Sequence, residues 1–308
     1  MLRYYVKKSF NEEPQEVKQP FGDHVWVYGS EVTPAELSQL AEEYKLDHGV
    51  LRDIFDRQEL PRIEYTSGIL YVFLRTPHRT SHGEIMSVPF LSVIKNGSLM
   101  TLSSKSYLTP NDLFENVRFS MRSNKHVFLQ IAAYVIGQYE NYIQQTGSYI
   151  HGTKRRLETH EVDNRDFVKF VTVESDLNEY TTNLTAIQAV LGRLHDNKHQ
   201  TFTEKDCEYI EDIILHVNQL LVSVSSHTHA ISSIRNAYTT MSNNTLNRRM
   251  KTLTLLTLLV ALPNVFYGMF GMNVRLPFAD EPWAYGAITL FTLIIVTVVY
   301  VIVRRMRF

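Results

Sequence analysis

Stepping along the first of two C-terminal apolar runs by three and four residues in turn meets Asn247, Met250, Thr254, Thr257, Ala261, Asn264, Gly268 and Gly271. These positions share one face of a helix. All but Met250 are small or polar, while the rest of the run is mostly leucine, with valine, phenylalanine and tyrosine. A polar stripe inside hydrocarbon faces either partner helices or water. Amides and hydroxyls in such a stripe suit the passage of hydrated solutes. They do not form a nucleophile-base pair.

A dry helix dimer would use small residues at the same spacing to bring two backbones together. The stepping also extends backward through Asn243, Thr240, Asn236, Ser233, His229 and Ser226, until Val222 and Leu215 interrupt it. A dry seam would be apolar there, so a hydrated passage fits better. One helix cannot enclose a passage, and a symmetric homo-oligomer follows as a requirement. Met250, the bulky member of the stripe, and Leu253, one step off it, form a candidate hydrophobic gate that stops ions by dewetting. Ordinary packing accounts for their periodicity nearly as well.

The elements that hold this stripe are legible from composition. Leu253 to Phe270 and Ala284 to Val303 carry no formal charge, and each is about one hydrocarbon thickness long as a helix. Membrane helices are therefore expected at about 251–270 and 284–303, joined by an outer loop at 271–283. Arg248, Arg249 and Lys251 precede the first and Arg304, Arg305 and Arg307 follow the second, whereas the loop holds only Arg275 beside Asp280 and Glu281. By the positive-inside rule both termini face the cytoplasm. Trp283 and Tyr285 would anchor the second helix at the outer interface. Asp280 and Glu281 could concentrate cations at the mouth, although two acids in an exposed loop serve solubility equally well.

Upstream, residues 153–262 contain one glycine, Gly192, and no proline, which predicts long helices and a stalk region over 153–250. The first part would turn back near Asp196-Asn197-Lys198. From about Thr203 nothing breaks the pattern until Pro263, and a helix of about 60 residues would be about 90 Å long. Its apolar positions Ile210, Ile213, Val217, Leu220, Val224, Ile231, Ile234, Tyr238 and Met241 recur close to every seven residues, which a coiled coil also explains.

Nine of the 13 glycines and seven of the 10 prolines fall within residues 1–152, between short apolar runs. That pattern predicts an α+β domain with a mixed α/β/α sheet, its helical part starting from about 125. Strands are expected at Leu2–Val6, Val25–Tyr28, Arg62–Tyr65, Ile69–Arg75, Ser87–Ile94 and Leu99–Leu102, and helices at Pro34–Tyr44, capped by Thr33, and His48–Phe55. No signal peptide is expected, because Met1 to Lys8 lacks a sustained apolar region.

A net charge of -1 argues against a general nucleic-acid partner. Cys207, the single cysteine, excludes an intrachain disulfide and a cysteine-rich zinc site. Gly147 to Lys154 reads Gly-x-x-x-x-Gly-Thr-Lys, but a phosphate-binding loop requires Lys before Thr, after a strand. His227 and His229 are two apart and point to different faces of a helix. No catalytic constellation can be assembled, so no enzyme and no catalytic cofactor are expected.

The Gly271-Met272-Asn273 triplet closing the first membrane run resembles the signature of the CorA magnesium transporter family. Asn247 to Thr254, with Pro263 deeper in the same helix, and the stretch from Trp26 through Arg62-Ile63-Glu64 are similar to the family as well. The resemblance implies a funnel-shaped homopentamer in the cell (inner) membrane, built from an N-terminal domain, a long stalk and pore helix, and a second membrane helix outside it. Carried across, Gly271, Met272 and Asn273 form the selectivity filter, and Asn264, Leu253, Met250 and Asn247 line the conduit. Neutral amides can bind the tightly held water shell of Mg²⁺ without stripping it. The resemblance further implies Mg²⁺ as both substrate and regulatory ligand, with Asp212 and neighbouring Glu211 at the regulatory position of the stalk. The usual aspartate partner is missing from Pro77 to Glu84, so either Glu84 substitutes for it or inhibition works differently. Co²⁺ and Ni²⁺ are further cargo candidates. A proton-coupled zinc transporter of the ZntB type shares this architecture, and a membrane-tethered sensor or scaffold that conducts nothing is the remaining alternative.

Overall fold

The computed structural model describes residues 2–6, 15–17, 25–80, 83, 85–95, 98–105, 109–116, 123–158, 164–272 and 281–305. The chain packs as two units, Met1–Ile234 and Arg235–Phe308.

The N-terminal unit is built on one mixed sheet. Its strands are β1 (Leu2–Val6), β2 (Gln15–Glu16), β3 (Val25–Gly29), β4 (Arg62–Thr66), β5 (Ile69–Arg79), β6 (Ile85–Lys95) and β7 (Ser98–Ser103), in spatial order β2-β1-β3-β7-β6-β5-β4. Every neighbouring pair is antiparallel except β3 and β7. β4 and β5 are joined at Ser67 and Gly68, both with positive φ (54° and 76°), the tight turn whose twist matches its flanking strands.

Helices cover both faces of this sheet. Helix α1 (Pro34–Tyr44) begins at Thr33, whose Oγ1 accepts from the Glu36 amide while the Glu36 carboxylate accepts from the Thr33 amide, a reciprocal cap. Helix α2 (His48–Arg52) is capped by Asp47 and runs into a 3₁₀ turn at Asp53–Phe55, so the expected helix over 48–55 tightens in its last turn. Leu37, Leu40, Val50, Leu51 and Ile54 from these elements pack with Val27, Tyr71, Phe73, Leu91, Val93, Met100 and Leu102 from one sheet face. Two long helices, α4 (Asn124–Glu158) and α5 (Asn164–His195), lie against the other face; the short α3 (Pro110–Asn116) precedes them. With both faces covered, the first nine residues of β5 are all buried, as a two-sided layer requires.

The long helical region expected from about 125 begins with α4 at Asn124, and Gly137, Gly147 and Gly152 all lie inside that helix, so residue 152 ends no element. The phosphate-loop look-alike from Gly147 is therefore plain helix. After α5 the chain turns where expected, with Asn197 at φ 45° and its side chain bonded to both the amide and the carbonyl of Phe202.

Helix α6 runs from Glu204 to Phe270 with Pro263 inside it. The recurring apolar positions Ile210, Ile213, Val217, Leu220, Val224, Ile231 and Ile234 are buried within the N-terminal unit itself. Contacts of His216 with Glu140, His126 with Asp206 and Gln188 with Asn218 fix α6 against α4 and α5. Packing inside one chain therefore accounts for the near-heptad repeat up to Ile234.

The C-terminal unit holds the end of α6 and helix α7 (Ala284–Arg305). Both helices are long and apolar enough to cross a membrane.

Candidate functional site

From 251 to 269 the backbone of α6 is helical throughout, and only Leu255, Leu259, Leu262, Pro263 and Phe266 are less than fully exposed. These five share one sector of the helix. Phe266 meets Phe291 of α7 edge to face, with ring centroids 5.5 Å apart at 82°. On α7, Ala284, Ile288, Thr292, Ile295 and Val299 are the matching covered line, and Thr292 is only 3% exposed. Its hydroxyl donates to the Ile288 carbonyl 2.8 Å away, so burial leaves no unmet donor.

The polar stripe falls on the other side. Met250, Thr254, Thr257, Ala261, Asn264 and Gly268 are all exposed, and their sector is centred roughly 170° from the α7-facing one at 100° per residue. Thus α7 covers the leucine side of α6 and leaves the polar side bare.

The stripe residues differ in what they ask of their surroundings. The Thr254 and Thr257 hydroxyls each donate to a carbonyl four residues back, Met250 and Leu253, at 2.9 Å. Those threonines carry their own acceptors into hydrocarbon. Asn264 has no such local solution: its amide, with two donors and an acceptor, has no hydrogen-bond partner among the described residues. A bare amide facing lipid is expensive, so Asn264 is the residue that most demands water or another copy. Gly268 shares that face. A Cβ there would meet nothing within 4 Å among the described residues, so none of them requires glycine at this position.

Met250 and Leu253 are 54% and 58% exposed, on the stripe and at its edge. Asn247, one turn earlier, is exposed as well. Helix α6 ends at Phe270, where the Gly271 amide donates to the Tyr267 carbonyl at 3.1 Å and the Met272 amide to that of Met269 at 3.3 Å. Gly271 and Met272 are both exposed. Asn273 and Asp280 lie outside the described residues. Glu281 is exposed and its carbonyl accepts from the Ala284 amide at the start of α7. Trp283 and Tyr285 are 55% and 77% exposed, as side chains anchored outside the protein would be.

Glu211 and Asp212 are exposed on α6, and Glu84 lies outside the described residues. The Tyr209 hydroxyl is pushed above its ordinary value first by burial and then by the charge of Asp212. Among the described residues no three histidine, cysteine, aspartate or glutamate side chains come together as a metal site.

One connected polar cluster was not visible in the sequence. Buried Arg75 donates to the carbonyls of Arg57, Glu59 and Ser87 and to the Ser87 hydroxyl, at 2.7 to 3.0 Å. Ser87 in turn donates to Glu179, and the Asn183 amide donates to both. Ser87 and Glu179 are 92 positions apart, so no local spacing announces the contact.

The description "CorA-like Mg2+ transporter protein" belongs to a family model that matches residues 21–305. A cobalt/magnesium transport protein CorA of Methanocaldococcus jannaschii is 23% identical over 303 residues, covering 95% of this chain and 94% of that protein. The complete structure of the CorA magnesium transporter from the same organism superposes with a TM-score of 0.85 at 20% identity, over 99% of this chain and 98% of that one. A full-length CmaX structure gives a TM-score of 0.78 at 19% identity, over 100% and 98%. Two apolar helices, one carrying a bare polar stripe that leads to Gly-Met-Asn, thus follow an α/β/α unit in a chain that matches a full-length CorA fold, and with the family model covering nearly the whole length the chain belongs to the CorA-like Mg²⁺ transporter family.

Proposed function

We propose that this chain is one subunit of a passive, gated channel for hydrated divalent cations, chiefly Mg²⁺ and also Co²⁺ or Ni²⁺. The observation that carries the reading is the opposition of the two faces of α6: α7 covers the apolar one, and the face bearing Asn264 stays bare. Several copies placing that face on a common axis would give Asn264 water and its neighbours' amides, and would keep lipid against α7. A homopentamer in the inner membrane, with both termini cytoplasmic, meets this requirement.

Within it, Gly271, Met272 and Asn273 form the outer filter and Asn264, Ala261, Thr257, Thr254 and Asn247 line the conduit. Met250 and Leu253 close it, and Asp280 and Glu281 draw cations to the mouth. The membrane potential supplies the drive, since a divalent ion crossing 100 mV gains roughly 4.6 kcal/mol. Cytoplasmic Mg²⁺ at Asp212, Glu211 and Glu84 favours the closed state.

Magnesium influx into proteoliposomes, measured for the wild type beside Asn273→Ala and Asn264→Leu, tests the proposal. A potential-driven influx that both substitutions abolish or strip of selectivity is expected. Zinc influx stimulated by a proton gradient, without magnesium influx, would replace the proposal with a proton-coupled zinc transporter. Flux in neither condition leaves a sensor or scaffold.

A further inference from the structure

Helix α6 meets α4 at two histidines whose surroundings are opposite in charge. His216 and His227 stand about three turns apart, roughly 16 Å, so one face of α6 presents both to α4. At the first, the Nε2 of His216 lies 3.1 Å from Oε2 of Glu140. The Gln144 amide donates to the other oxygen of that carboxylate at 3.0 Å, and Asp212 stands one turn before His216 on α6. Both charged groups beside this ring are acids. Helix α5 also meets α6 at this level, through Gln188 and Asn218, and carries no charged residue from Thr181 to Gly192.

At the second, His227 is half-buried against Gly147. A Cβ at residue 147 would lie 2.6 Å from Nε2 and 2.8 Å from Cε1 of the ring, so glycine is what admits the ring to the backbone of α4. The Ser223 hydroxyl of α6 lies 3.4 Å from Nε2. Among the described residues the charge acting on this ring is that of His151, one turn beyond Gly147 on the same face of α4. No aspartate, glutamate, lysine or arginine occurs from Asn141 to Thr153 of α4, or from Ile213 to Ile234 of α6. His229 is exposed and points to another face of α6.

Histidine changes charge between about pH 5 and 8, so a proton acts in opposite senses at the two ends of this seam. An imidazolium at His216 gains a charge-assisted bond to Glu140. At His227 it brings a second N–H and a positive charge into a seat that offers one hydroxyl and another histidine. Burial first, and then His151, hold the His227 pKa under its ordinary value, so this contact is complete above about pH 6.5 and is lost as the pH falls below it. We propose that the α4–α6 seam is a pH-responsive pivot: acid holds α6 to α4 at His216 and releases it at His227. The pivot goes beyond the channel reading and rests on it only for its effect on influx, which α6 carries because the released end leads along the same helix toward the stripe.

The test is hydrogen exchange of the full chain in lipid nanodiscs at pH 7.5 and 5.5, corrected for the intrinsic exchange rate. Magnesium influx into proteoliposomes is read separately at the same two values. Protection of residues 222–232 should fall by up to about tenfold at pH 5.5, the most that one proton contributes over one unit below 6.5, while residues 211–219 keep theirs. His227→Gln and His151→Gln, the latter at an exposed position, should each shrink that fall. His229→Gln should leave it unchanged, and Glu140→Gln should make residues 211–219 lose protection in acid as well. Equal protection of residues 222–232 at the two pH values, or a fall that survives both His227→Gln and His151→Gln, overturns the pivot. An acid loss of equal size in both segments overturns it too, as general unfolding. Influx should differ between the two pH values in the wild type and differ less in His227→Gln; equal wild-type influx beside a selective loss of protection overturns the effect on the channel. A selective loss without influx at either pH sinks the channel reading and leaves the pivot standing.

Discussion

In the N-terminal unit the buried guanidinium of Arg75 arrives with its partners, whereas in the C-terminal unit the amide of Asn264 arrives with none among the described residues. Arg75, 7% exposed, gives its donors to three carbonyls and a hydroxyl. Asn264, exposed in the middle of an apolar helix, gives its donors to nothing among the described residues. The apolar residues show the same contrast. Val72, Phe73 and Leu91 are fully buried by their own chain, while Leu256, Val260 and Val265 stay more than half exposed. One unit buries its large apolar side chains within its own chain. The other leaves them exposed, which suits lipid on its leucine side and, in the proposed channel, further copies on its polar side.

The strongest way to break this contrast is to make the C-terminal unit self-sufficient. Asn264→Leu removes the unmet amide, and magnesium influx should fall at least tenfold while the oligomer persists on size exclusion. Unchanged influx would mean that the stripe does not touch the ion path. At the next level, Arg75→Met leaves three carbonyls and Ser87 without their donor and should destabilise the N-terminal unit by about 2–4 kcal/mol in denaturant titration. A loss below about 0.5 kcal/mol would show that water replaces the guanidinium at little cost.

Smaller effects sharpen the picture. Thr33→Ala breaks the reciprocal cap of α1 and should cost about 1 kcal/mol by the same titration, without altering flux. His227 sits against Gly147, where a Cβ would lie 2.6 Å from its ring nitrogen. Burial first, and then the nearby His151, lower its pKa below the ordinary 6.5. A histidine held neutral in the fold contributes stability above about pH 6.5 that is lost as the pH falls below it, because the unfolded chain takes up the proton first. The wild type should therefore lose stability as the pH falls below about 6.5, and His227→Gln should lose less. Equal slopes for the two proteins would place the acid sensitivity elsewhere.

Strands and caps were legible because their signals are local. Thr33-Pro34 marks a helix start wherever it occurs, and β-branched and aromatic residues mark runs such as Ile69–Arg75 as strands. Gly137, Gly147 and Gly152 lie inside α4, in the helical region expected from about 125, and burial of Val135, Ile143 and Ile150 against the rest of the unit outweighs the roughly 1 kcal/mol that each glycine costs a helix. The near-heptad line of α6 could not declare its partner, since packing on α4 and α5 and packing on a second copy leave the same periodicity.

By itself the sequence determined which stretches are long and apolar enough to cross a membrane, which face of the first one is polar, and where the Gly-Met-Asn triplet follows it. Those properties depend only on composition and on 3.6 residues per turn. The tertiary structure decided which face of α6 is covered. The Phe266–Phe291 contact assigns the leucine side to α7 and leaves the side of Asn264 bare. It also joined Arg75, Ser87 and Glu179, residues that only the crossing of a strand and a distant helix brings into hydrogen-bonding reach.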